Sequence, residues 1–189
     1  MADQLYLSYR LDRFRVENML RRYEKMLRTF PFSRLSQQAS LFRIYAVDLT
    51  LPPVLERVFE PPVDPAEVAN AAREFLNPDS CLELETAWDL WQWAPAGDWQ
   101  LLPSRTSLIC YGPDFDHDVQ ENMRVEFGVD ANFLPQRELP NHLRMAQSNI
   151  RSLLKLTHDL DDALGGERRL WSESGENFAE KLQRIILEE

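Results

Sequence analysis

The chain has 189 residues, with 21 Lys and Arg against 31 Asp and Glu, a formal net charge of −10 and 44% apolar residues. That apolar content excludes a disordered chain. Six glycines exclude collagen-like and low-complexity classes, and two cysteines exclude a disulfide-stapled scaffold. The length suffices for one sizeable core, so a single domain over 1–189 is expected.

Residues 5–11 alternate. Leu5, Leu7, Tyr9 and Leu11 take one side; Tyr6, Ser8 and Arg10 take the other, which predicts a half-buried strand. The period then changes. Val16, Leu20, Tyr23, Leu27 and Phe30 recur at helical spacing over 13–30, with Asp12 as N-cap and Pro31 as terminator. Residues 40–49 predict a second strand, with Phe42, Ile44 and Ala46 inward and Arg43 and Tyr45 outward. Pro52-Pro53 and Pro61-Pro62 bracket Val54, Leu55, Val58 and Phe59, whose spacing fits two helical turns. The Pro-rich stretch 51–65 reads as an internal connection. Asp64-Pro65-Ala66-Glu67 then starts a helix that runs to about Leu76.

Three strand-like runs follow. Over 81–93, Leu82, Leu84, Thr86, Trp88 and Leu90 take one face, against Glu83, Glu85, Asp89, Trp91 and Trp93. Pro95-Ala96-Gly97-Asp98 makes a turn. Residues 99–111 return, with a break expected at Pro103, and 122–130 alternate again. Between Pro140 and Leu164, Ala146, Ile150, Leu153, Thr157, Leu160 and Leu164 form a helical stripe that Gly165-Gly166 terminates. Phe178, Leu182, Ile185 and Ile186 mark a last helix over 176–188. This order predicts an α+β fold. Its antiparallel or mixed sheet would have about five strands, with helices mainly on one face, in an order compatible with a ferredoxin-like core plus added elements.

No apolar run approaches the roughly 18–20 residues of a membrane span. The first residues lack the pattern of a secretory signal, and a cytoplasmic location is expected. Cys81 and Cys110 sit in apolar runs and read as buried reduced thiols. Charge is uneven. Residues 1–60 carry ten basic and seven acidic side chains, net +3; residues 61–189 carry eleven and 24, net −13. Tyr6, Arg10, Arg43 and Tyr45 share the outward parity, a combination that stacks and holds single-stranded RNA, yet the acidic balance argues against a nucleic-acid partner.

Two constellations could carry function. Asp114-Phe115-Asp116-His117-Asp118 has alternate aspartates as calcium loops do, but an EF-hand starting at Asp114 would need Gly where Val119 stands and Glu where Val125 stands. With further ligands, Asp114, Asp116, His117 and Asp118 could instead serve a metal-dependent hydrolase. Nucleophile elbows, phosphate loops and C-x-x-C pairs are missing from the sequence, and no cofactor is expected. The second constellation is the tryptophan-rich hairpin. Trp91 and Trp93 share the face of Glu83, Glu85 and Asp89, which would give a partner apolar area for affinity and carboxylates for steering. The leading expectation is therefore a non-catalytic protein-interaction module, immunity- or inhibitor-like, for a basic protein. Self-association into a homodimer is a further route, and metal-dependent hydrolysis is the alternative.

Overall fold

The computed structural model describes residues 3–117, 120–175 and 177–187. Alternation builds β1 (Gln4–Arg10), β2 (Ser40–Ala46), β4 (Ser80–Trp93), β5 (Trp99–Tyr111) and β6 (Met123–Val129), where the pattern predicts them. Two more strands bring the sheet to seven: β3 (Leu55–Phe59) and β7 (Glu167–Ser172). The order is β3-β2-β4-β5-β6-β1-β7, and every neighbouring pair is antiparallel. The expected five strands are thus corrected to seven.

Both additional strands lie at the outer edges of the sheet. The spacing of Val54, Leu55, Val58 and Phe59 imitates helical turns because 56–58 are exposed and only Phe59 is buried. Edge strands need not alternate. The ferredoxin-like order is also not what the sheet builds. A split βαβ unit leaves one strand between its parallel pair, whereas β6, β5 and β4 separate β1 from β2.

Four helices cover one face: α1 (Val16–Thr29), α2 (Pro65–Ala72), α3 (His142–Leu164) and α4 (Phe178–Leu187). The N-cap of α1 is Arg15, not Asp12, and Asn18 Oδ1 accepts the Arg15 N–H at 3.1 Å. Its buried residues are Met19, Tyr23, Met26 and Leu27, so the inward stripe is turned from the expected one by the two methionines. The N-cap of α2 is Asp64, which accepts the Ala66 N–H at 2.8 Å. All six stripe residues of α3 are buried. The acidic C-terminal turn of α3 is answered at Asp161, which accepts from the Tyr9 hydroxyl (2.9 Å) and from Arg168 (2.6 Å).

Beneath the helices lies a continuous apolar cluster drawing on β1, β2, β4, β5, β6 and all four helices. Trp88 sits near its centre, with the rings of Phe127, Phe30 and Phe133 at 5.5, 6.3 and 6.3 Å. No described helix is long and apolar enough to cross a membrane. Cys110 belongs to this cluster, while Cys81 lies in a small separate cluster on the opposite face with Ile109, Tyr111 and Phe115. Both thiols are free and buried.

Candidate functional site

The face of the sheet turned away from the helices is set by the same alternation. One register row crosses all seven strands: Arg169, Ser8, Arg124, Ile109, Glu83, Arg43 and Glu56. Side chains opposite one another in a sheet stand on the same face, and at one end of this row Glu83, Arg43 and Glu56 alternate in charge. Arg43 reaches Glu56 (3.1 Å), Glu85 (3.4 Å) and Glu83 (3.8 Å). Arg105 also pairs with Glu85. The Tyr45 hydroxyl donates to Glu83 at 3.2 Å. Burial is the main reason the Glu83 carboxyl is pushed above the usual range, and Tyr45 and Arg43 oppose that push.

At one end of this face, β4 and β5 run on as a hairpin. Among the described residues, the distal part of β4 pairs with no strand but β5, and β6 meets only Ser107–Cys110 of β5. Pro103 does not break β5, because a missing N–H is tolerated where no third strand needs it. The free edge of β4 is closed by side chains and loops. Ser33 donates its N–H to Ala87 O at 2.8 Å. Asn149 of α3 accepts the Trp91 N–H and donates to Trp91 O, both at 2.9 Å, and also donates to Asn132 O at 2.7 Å.

Trp91 faces Leu101 across this hairpin, and Trp93 faces Trp99. The Trp93 and Trp99 rings meet edge to face at 5.6 Å, and the Trp99 indole N–H donates to Pro140 O at 2.7 Å. All three indoles are half-buried, and Leu101 is 41% exposed. The structure therefore places Trp91 and Trp93 together on the outward face. The three carboxylates are each engaged within the molecule: Glu83 and Glu85 as described, and Asp89 with the Ser33 hydroxyl and the Arg34 N–H (2.9 Å).

At the other end the face sinks into a basin of about 570 Å³, joined through Leu49, Tyr111 and Arg124 to a smaller hollow of about 240 Å³. Arg124 is its floor. The guanidinium pairs with Glu121 and with Glu126 (3.2 Å), and it lies 5.2 Å from the Tyr6 ring, 5.4 Å from Tyr111 and 5.7 Å from Trp171. Tyr6 and Trp171 touch at 4.6 Å, and the Trp171 indole N–H donates to Ser8 Oγ at 2.7 Å. One wall is Asp48, Leu49 and Thr50; another is Asp116 and His117, whose ring stacks on Tyr111 at 4.3 Å. Gly112 sets that second wall, because a side chain there would collide with the carbonyl oxygens of Pro78 and Ser80.

Of the acidic loop read as a metal cluster, Asp116 and His117 line the basin. Asp114 is exposed, with its N–H donating to Pro78 O at 2.9 Å. Asp118 lies outside the described residues. Among the described residues, no group of three or more His, Cys, Asp or Glu side chains could hold a metal ion. Sequence parity finds Tyr6, Arg43 and Tyr45 on this face. It misses the basin itself, whose residues come from β1, the β2–β3 loop, β5, the β5–β6 loop, β6 and β7 with the residue after it. A larger concavity of about 690 Å³ lies elsewhere, between residues 32–40 and 61–63. Its lining includes Glu85, Thr86, Pro103 and Arg105 of β4 and β5, and Glu85 is already paired with Arg105 and Arg43. Comparison with protein-family models, with curated proteins and with solved structures finds no match.

Proposed function

We propose that this protein is a non-catalytic interaction module that engages a basic protein through the outward face of the β4–β5 hairpin. The observation that carries this reading is the half-exposed strip of Trp91, Trp93, Trp99 and Leu101 on a face whose carboxylates Glu83, Glu85 and Asp89 are engaged within the molecule. Large rings that can be fully desolvated by a partner supply most of the affinity of such contacts. The internal pairing of Glu83, Glu85 and Asp89 removes them as individual contacts. It leaves the net charge of −10 unchanged, so long-range attraction still selects a basic partner.

The test begins with a benzoylphenylalanine cross-linker at position 101, used in the host cell, with the same group at Leu154 on α3 as control. The expected product is one basic protein joined at position 101 and not at 154. That protein, purified, should bind the wild type and lose at least about tenfold in affinity to the Trp91→Ala/Trp93→Ala variant. The double variant should keep a cooperative melt. Adducts shared equally by both positions, or unchanged affinity in the double variant, would overturn the proposal.

A further inference from the structure

The basin around Arg124 is built from a second set of residues, and its chemistry differs from that of the hairpin. Five carboxylates line the two joined hollows: Asp48, Asp116 and Glu173 in the larger, Glu83 and Glu126 in the smaller. Among the described residues, Arg124 is the one Lys or Arg in either lining, and Glu121 and Glu126 already neutralise it. Arg169 lies nearby, over the Trp171 ring at 4.8 Å, and lines neither hollow. The Asp48 carboxyl is held below the usual range by hydrogen bonds from the Thr50 hydroxyl and N–H, so it is ionised at neutral pH. Glu83 is paired with Arg43 and Glu126 with Arg124, so the net negative charge is carried by Asp48, Asp116 and Glu173 around the larger hollow, beside the aromatic rings.

The walls are held in place. Val47 has φ of 74°, in the left-handed region that a β-branched residue rarely occupies. Its N–H donates to Asp79 O at 2.9 Å, and its carbonyl accepts the Asp116 N–H at 2.8 Å. The strained residue therefore latches the 48–50 wall to the 116–117 wall. Strain of this kind persists where the surroundings over-determine it, and it clusters at ligand-binding sites. The larger hollow alone has the volume of a small-molecule site.

We infer that this basin binds a guanidinium group. A guanidinium is planar, stacks on tyrosine and tryptophan faces, and meets carboxylates through paired N–H donors. The rings of Tyr6, Tyr111 and Trp171 already hold one such group, that of Arg124. A primary ammonium keeps its water more tightly and gains less from flat rings. The guanidinium could belong to a free small molecule or to an arginine side chain of another protein, and the two sources are separable by experiment. The inference does not rest on the hairpin reading.

The probes are n-butylguanidine, a capped Gly-Arg-Gly peptide, n-butylamine and neutral n-butylurea, each titrated into the intact protein by calorimetry. Saturable binding of the two guanidinium probes is expected, with n-butylamine weaker and n-butylurea silent. Asp48→Asn/Asp116→Asn should weaken it at least about tenfold while the melt stays cooperative. Trp91→Ala/Trp93→Ala should leave it unchanged, which separates its failure from that of the hairpin proposal. Tighter binding of the peptide identifies a protein side chain as the source, and tighter n-butylguanidine a free ligand. No saturation by about 10 mM, equal binding of n-butylurea, or no effect of the double Asn variant would overturn the inference.

Discussion

Two buried carboxylates give the clearest behaviour at the scale of single residues. Burial is the first cause that holds Glu83 and Glu121 above the ordinary carboxylate range. When they are ionised, the folded state bears the desolvation cost. As pH falls through the raised folded value, the folded protein takes up a proton before the unfolded chain does. Stability therefore rises until the unfolded range near 4.5 is reached, and changes no further below it. Glu83→Gln keeps an acceptor for the Tyr45 hydroxyl and removes the charge. It should match or exceed the wild-type urea midpoint at pH 7 and lose that advantage as pH falls toward the unfolded range near 4.5. The thiols follow the same logic. Burial pushes Cys81 and Cys110 well above the usual thiol range. Neither should react with a disulfide reagent in the native protein at pH 8, and both should react once it is unfolded.

Elements differ in what their loss would cost. Trp88→Ala opens a void among Phe30, Phe127 and Phe133 and should cost about 3–5 kcal/mol in a denaturant titration. Trp93→Ala, on the half-exposed side of the same strand, should cost under about 1.5 kcal/mol. Asn149→Ala leaves the N–H and carbonyl of Trp91 without partners along the free edge of β4. A loss on the order of 2–4 kcal/mol is expected, greater than for Ser152→Ala on the same helix. This scale also explains what could be read from the sequence. Strands β1, β2, β4, β5 and β6 were legible because each has one covered face, and α3 because its stripe runs about five turns. In β3 and β7 so few side chains face the core that no period develops. Leu170 is the one buried apolar residue of β7, amid Glu167, Arg168 and Arg169.

For the whole molecule, parity assigns each side chain to a face but never names a strand's neighbour. The position of β1 between β6 and β7 was therefore illegible, as was the basin, which exists because that order sets Tyr6 beside Trp171 and Arg124. The same order ties the start of the chain to its end. Ending the chain after Gly165 would expose one edge of β1 and the core surface that Phe178 and Leu182 cover. Such a truncation should lose the cooperative thermal transition seen by circular dichroism, while Arg168→Ala alone should retain it. The net charge of −10 makes a further demand. Association with a basic partner should slow as salt is raised from about 0.05 to 0.5 M, mainly through the on-rate.

Gly112 shows how such a map of the molecule can mislead. The backbone oxygens of Pro78 and Ser80 leave no space for even a methyl group at that position. A saturation scan would record position 112 as intolerant of every replacement, in a loop that ends beside the polar basin. Such a profile would ordinarily be taken for chemistry performed on a substrate. Here it would report only that two segments of main chain touch, and that the His117 wall is lost when they are forced apart.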